Sequence, residues 1–247
     1  MTAINSVLGP IDTANLGFTL MHEHIMCTYP GVFQDYPELL GKDLLQRVVD
    51  ELKGAKEGGI NTIVDATTLD LGRDVNLLAE ASRRSGVNII ACTGWWLDVS
   101  TLFANLSADQ LARVFIKDIE QGISGTKVKA GILKSAADID GVRPQDEIML
   151  RAVARAHLKT GVPIMLHSFA PLQVGRRQLA VLKEEGVNLN RVKVDHSNDT
   201  TDLEYLTWLL EQGCYVGMDR YPGRDVPARN ASPLARTRTM KALIDAG

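Results

Sequence analysis

Seven short apolar runs, each followed by an amphipathic stretch, alternate along nearly the whole chain, and this alternation constrains the fold more than any other feature. The runs lie at 19–24, 62–65, 88–93, 129–134, 163–167, 191–196 and 214–218. They are rich in Ile and Val and read as apolar on both faces, as parallel strands covered on both sides must be. The stretches at 44–58, 74–85, 108–121, 146–160, 174–185, 202–212 and 237–246 carry helical periodicity. Glycines at Gly58-Gly59, Gly86, Gly161, Gly186 and Gly213 mark where helices end. Repeated β/α units of this kind predict an α/β fold, a TIM (β/α)8 barrel with its active site at the C-terminal ends of the strands. A doubly wound open sheet is the competing fold, but it would gather ligands at one switch point. Chemistry-bearing residues here end several different runs, which favours the barrel. Only seven units are evident, and an open seven-stave barrel would leave two unpaired edges. The expectation is one barrel domain over 1–247, truncated at its C-terminus before the eighth unit.

Composition removes several function classes. A net charge of −3, with short Lys/Arg clusters such as Arg83-Arg84 and Arg176-Arg177, gives no footprint for nucleic acid or an anionic membrane. Cys27, Cys92 and Cys214 are odd in number, widely spaced and without a CxxC pair. Neither a disulfide framework nor a zinc-thiolate site is expected, and a reducing compartment is. The first ten residues lack a basic start and a continuous apolar core. No apolar stretch reaches the roughly 18 residues that a spanning helix needs. A cytoplasmic protein is expected.

The chemistry starts at His22-Glu23-His24, which closes the apolar run beginning at Phe18. On a strand, alternate side chains share a face, so His22 and His24 project together and offer half of a metal site. Of the five histidines, His167 and His196 also terminate strand-like runs. Lys134 closes another, and burial there disfavours the ammonium and exposes a neutral, nucleophilic amine.

In order and spacing, Leu20-Met21-His22-Glu23-His24, the run Lys129 to Lys134, Leu166-His167-Ser168 and Asp195-His196-Ser197-Asn198-Asp199-Thr200 resemble the phosphotriesterase family of the amidohydrolase superfamily. That family includes phosphotriesterases and phosphotriesterase-like lactonases. Gly94-Trp95-Trp96-Leu97-Asp98, Gly217-Met218-Asp219-Arg220-Tyr221 and Lys241 to Asp245 extend the resemblance over essentially the whole chain. It implies two divalent metal ions, the more buried held by His22 and His24 and the more exposed by His167 and His196. Lys134, as N6-carboxylysine, would bridge them. Imidazole and oxygen donors suit zinc first, with cobalt, iron or manganese as alternatives. In the family a metal-bridging hydroxide attacks a phosphorus or carbonyl centre, and a strand-eight aspartate takes the proton. No residue here matches that aspartate; Asp219 matches a different position, while Asp199 matches the aspartate that relays the proton outward.

The resemblance also assigns the pocket. Trp96 matches an aromatic position of the phosphotriesterases, and Arg220 with Tyr221 completes a lactonase-like Asp-Arg-Tyr triplet. The segment from Pro222 to Pro233 would form the loop above the site. The substrate expected is a small ester, lactone or phosphotriester, the assembly a homodimer. The alternatives are an inactive truncated barrel serving as scaffold or binding module, and a mononuclear deaminase-like enzyme, against which Lys134 argues.

Simpler readings stand beside these. His157 lies inside a helical stretch and is read as structural. Only one of the adjacent Trp95 and Trp96 can face a pocket. Asp65 and Asp98 can serve as local caps. Cys27 has no orienting partner for a nucleophile, and Ser168 lacks the Gly-x-Ser-x-Gly elbow. No phosphate-cradling or dinucleotide loop is present.

Overall fold

The computed structural model describes residues 3–221 and 231–247. It opens with an antiparallel hairpin, β1 (Ala3–Ser6) and β2 (Gly9–Asp12), which the periodicity does not predict. A parallel sheet of seven strands follows: β3 (Thr19–Glu23), β4 (Thr62–Asp65), β5 (Asn88–Gly94), β6 (Ile132–Ala136), β7 (Ile164–His167), β8 (Val192–Val194) and β9 (Tyr215–Val216). Their spatial order is their chain order, each strand parallel to the next. The helices are α1 (Val32–Asp35), α2 (Leu44–Glu57), α3 (Val75–Ser85), α4 (Thr101–Ala104), α5 (Ala108–Glu120), α6 (Pro144–Thr160), α7 (Gly175–Glu184), α8 (Leu203–Glu211) and α9 (Pro233–Asp245).

The sheet curls. From β3 to β8 there are five strand spacings, about 24 Å in a flat sheet, yet the His22 and His196 rings lie 4.8 Å apart. Such an approach between the ends of non-adjacent strands requires a barrel wall. Among the described residues, β3 and β9 each pair on one side only. The strands' period of two splits their apolar residues into two layers. Ile63, Ile89, Leu133 and Leu166 pack outward against the helices, with Leu111, Phe115, Leu150 and Leu179 among their neighbours in that core. Val64, Ala66, Ile90, Cys92, Ile132 and Met165 fill the interior, and Ile4 and Leu16 pack against them. Val7 N–H donates to Ile89 O at 2.9 Å, which seats the hairpin at the starting end of β5.

Several boundaries differ from the sequence reading. β6 starts three residues late and runs past Lys134, so this lysine sits mid-strand rather than at its end. Ladder pairing explains the shift, because Lys134 faces Gly94 on one side and Met165 on the other. β8 stops at Val194, since His196 adopts a left-handed backbone (φ +59°) that ends the ladder. Nor is this strand apolar on both faces, for it carries Lys193 among valines. α6 begins at Pro144, where a proline is tolerated in the first turn. α9 begins at Pro233 for the same reason, behind a Ser232 side-chain cap. No helix of the described residues is long and apolar enough to cross a membrane.

Candidate functional site

All seven strands of the curled sheet deliver polar side chains to one end. His22 lies within β3, and His24 just past it. The pairing of β3 with β4 shifts register between Leu20 and Glu23, so an extra residue of β3 occupies that interval. A bulge of this kind re-aims the side chain it contains, here His22. Thr67 follows β4, Trp96 follows β5, Lys134 and Asp138 come from β6 and its loop, and His167 closes β7. Asp195 and His196 follow β8, and Asp219 follows β9.

The four histidines form a contiguous row. Ring centroids are 5.3 Å apart for His22 and His24, 4.8 Å for His22 and His196, and 4.5 Å for His196 and His167. His22, His167 and His196 are buried, whereas His24 is exposed. Each ring has one nitrogen engaged by a protein oxygen. His22 Nδ1 donates to Asp195 Oδ2 at 2.8 Å, and His196 Nδ1 to Asp219 Oδ1 at 2.9 Å. His167 Nε2 donates to Asp138 Oδ2 at 3.0 Å, and His24 Nδ1 shares a hydrogen bond with Thr67 Oγ1 at 3.0 Å. The inward nitrogens of His196 (Nε2) and His167 (Nδ1) come within 3.0 Å of each other. Oxygen partners that fix one nitrogen of each ring, and with it the ring's orientation, are what metal-binding histidines require.

Burial pushes the His196 imidazole down to about 4, although the Asp219 carboxylate opposes it. Burial also lowers His167 against the pull of Asp138. Both rings are therefore neutral at physiological pH, the form that donates a lone pair to a cation. Lys134, 1% exposed, places Nζ 2.9 Å from Asp195 Oδ2 and 3.5 Å from His22 Nδ1. Asp195 is raised by burial, but Lys134, Lys193 and His22 outweigh that and hold it down at about 2. His22, His196 and Asp219 also bring ligand-type atoms within 4.8 Å of one another. The Asp219 oxygens in that group are already engaged: Oδ1 accepts from both His196 N and His196 Nδ1, and Oδ2 accepts from Lys193. Asp219 thus backs the histidines rather than facing a common ion with them.

The two tryptophans divide as the sequence requires. Trp95 is buried against Phe103, with centroids 4.6 Å apart. Trp96 stands edge-on to His167 at 5.9 Å, its Nε1 3.4 Å from His167 Nδ1. Arg220 is bound to the Asp199 carboxylate, which also accepts from Arg236 Nη2 at 3.0 Å. The Tyr221 hydroxyl shares a hydrogen bond with Thr237 at 2.9 Å, so its described contact is to α9 rather than to the histidines. Residues 222–230 of the expected loop lie outside the described residues. His157 is structural, its Nδ1 donating to Val162 O at 2.8 Å. Cys27 is exposed, and partial desolvation with the nearby Asp65 and Asp70 carboxylates raises its thiol pKa, which does not suit a nucleophile.

Asp138, Thr67, Lys193, Asp195 and Arg236 are absent from the sequence-level list. For Lys193 and Asp195 a signal existed: in Val192-Lys193-Val194-Asp195 two opposite charges occupy one face of a strand. Asp138, Thr67 and Arg236 reach the site through loops or a helix, and no local pattern announces them.

Imidazoles gathered at the C-terminal ends of a curled parallel β/α sheet stand where β/α-barrel enzymes carry their active sites. The chain belongs to the phosphotriesterase family, whose model matches residues 2–247. It is 42% identical over 237 residues to the phosphotriesterase homology protein of Mycobacterium tuberculosis, covering 92% of this chain and 72% of that protein. It is 38% identical over 214 residues to the aryldialkylphosphatase of Saccharolobus solfataricus, covering 85% and 68%. It is 26% identical over 253 residues to the N-acetyltaurine hydrolase of Xenopus tropicalis, covering 88% and 71%.

Proposed function

We propose that this chain, as one barrel domain, is a binuclear metal-dependent hydrolase of lactones, esters or organophosphate triesters. The observation that carries the reading is the row of four histidines, each engaged at one nitrogen by a protein oxygen, with the second nitrogens of His167 and His196 turned toward each other, beside a buried lysine amine. His22 and His24 would hold one ion and His167 and His196 the other, with Lys134 as N6-carboxylysine between them. Zinc is the preferred ion; cobalt, iron and manganese suit the same donors. Divalent ions bound there would make water acidic near neutral pH and polarise the oxygen under attack.

The remaining work falls to the chain's own residues. Trp96 walls the pocket beside His167 and packs against the leaving group. Asp199, tied to Arg220 and Arg236, would relay outward the proton that the family's strand-eight aspartate takes, a residue nothing in this sequence matches. Arg220 and Tyr221 form the rim from which a lactone ring is read. A cytoplasmic homodimer completes the proposal; free thiols at all three cysteines accord with a reducing compartment.

The test supplies zinc and bicarbonate and measures hydrolysis of an acyl-homoserine lactone, an aryl ester, a paraoxon-type phosphotriester and N-acetyltaurine. Turnover of one of the first three, abolished by a chelator and restored by metal, is expected. Hydrolysis indifferent to chelation, turnover of N-acetyltaurine alone, or no hydrolysis refutes the reading. Arg220→His is expected to shift the rate ratio from lactone toward phosphotriester.

A further inference from the structure

Behind the histidines lies a second cluster of charge. Lys193, on β8, points its ammonium between two carboxylates: it donates to Asp195 Oδ1 and, at 3.1 Å, to Asp219 Oδ2. These are the same two acids that engage His22 and His196. Asp219 Oδ2 also stands 3.4 Å from His22 Nδ1, so both acids face that ring. The order His22–Asp195–Lys193–Asp219–His196 therefore closes on itself, because the two rings are 4.8 Å apart. Space for the ammonium depends on Gly217, where a Cβ would fall 2.8 Å from Lys193 Nζ and 2.9 Å from Asp219 Oδ2.

We propose that Lys193 is a positioning residue of the metal centre, a partly buried cation that locks the Asp195 and Asp219 carboxylates behind His22 and His196. The proposal rests on the metal-centre reading above and adds to it the element that sets ligand orientation. A carboxylate that accepts from an imidazole Nδ1 fixes the tautomer and turns Nε2 toward a cation, but only if the carboxylate is itself held. Two acids facing one ring would repel each other, and a cation between them removes that repulsion while taking one oxygen of each. Lys193 touches no ion or substrate in this scheme. It acts through two acids on two rings, one from β3 and one from the end of β8.

The test is cobalt binding by the full chain, followed through the visible absorption of the bound ion, with far-ultraviolet circular dichroism reporting the fold. Lys193→Met keeps the stem and removes the charge; Lys193→Arg restores it. Apparent cobalt affinity is expected to fall about 10–100-fold in Lys193→Met with an altered absorption envelope, and to recover in large part in Lys193→Arg. Asp219→Asn breaks the lock from its other side, reproduces the loss, and serves where Lys193→Met does not fold. Wild-type binding with unchanged affinity and spectrum in a folded Lys193→Met or Asp219→Asn variant overturns the lock and leaves the metal centre standing. A wild-type chain that takes up no cobalt overturns both.

Discussion

Asp65 closes β4 as a fully buried acid, and its titration makes a quantitative prediction. Its Oδ1 accepts from Thr67 N at 2.8 Å, while Oδ2 has no hydrogen-bond partner. Burial raises its pKa from 3.8 to about 6, overriding the Thr67 hydrogen bonds and nearby Arg73. The folded state thus keeps a proton that the unfolded state releases, and stability falls as pH rises from the unfolded value to the folded one. About two pKa units at roughly 1.4 kcal/mol each gives about 3 kcal/mol in all, of which about 2.5 kcal/mol is lost between pH 4 and pH 7 because the unfolded acid is already more than half ionised at pH 4. Asp65→Asn retains the oxygen that accepts from Thr67 and cannot ionise. Any fixed cost of the amide cancels when its stability relative to wild type is compared at two pH values. Urea unfolding of both proteins at pH 4 and pH 7, with chelator throughout, is expected to show Asp65→Asn gaining about 2.5 kcal/mol on wild type across that interval. An unchanged difference between the two proteins at both pH values would show that Asp65 is ionised in the fold, and the reasoning would fail.

Three other predictions concern the frame around the site. Trp95→Ala, which empties a buried aromatic position, is expected to cost about 3–5 kcal/mol by urea unfolding, with Trp96→Ala costing markedly less while altering substrate preference. Gly94→Ala places a Cβ 1.9 Å from Lys134 O at a φ of +116°; strain and overpacking together predict a loss of about 2–6 kcal/mol, and a thermal midpoint equal to wild type would contradict it. Arg151 joins α6 to the C-terminal end of α7 through Glu184 and Glu185 at 2.6 and 3.0 Å, and pairs within α6 with Glu147 at 2.6 Å. Because this network is partly solvated, Arg151→Met is expected to cost only about 1 kcal/mol, with the difference shrinking in 1 M salt.

The sequence made most of the scaffold legible because parallel strands buried on both faces announce themselves as apolar runs, and the glycines after α3 and α6 (Gly86, Gly161) adopt the positive φ of a helix stop. The hairpin Ala3–Ser6 with Gly9–Asp12 escaped because its four-residue strands carry little apolar alternation. Strand ends were misplaced where tertiary pairing decides them, as at Lys134, or where one residue turns left-handed, as at His196. The histidines could be found because their residue type is rare and their positions repeat. Two of their oxygen partners could not, since Asp138 and Thr67 look like ordinary loop residues until the barrel curls and brings them beside an imidazole.

The central claim is that His22, His24, His167, His196 and Lys134 jointly hold two cations. Anomalous diffraction from crystals grown with zinc and bicarbonate tests it most directly. Two anomalous peaks are expected among the four rings, with branched density extending Lys134 Nζ between them. No peak at the rings, or a bare Lys134 amine still paired to Asp195 with zinc bound elsewhere, would contradict it.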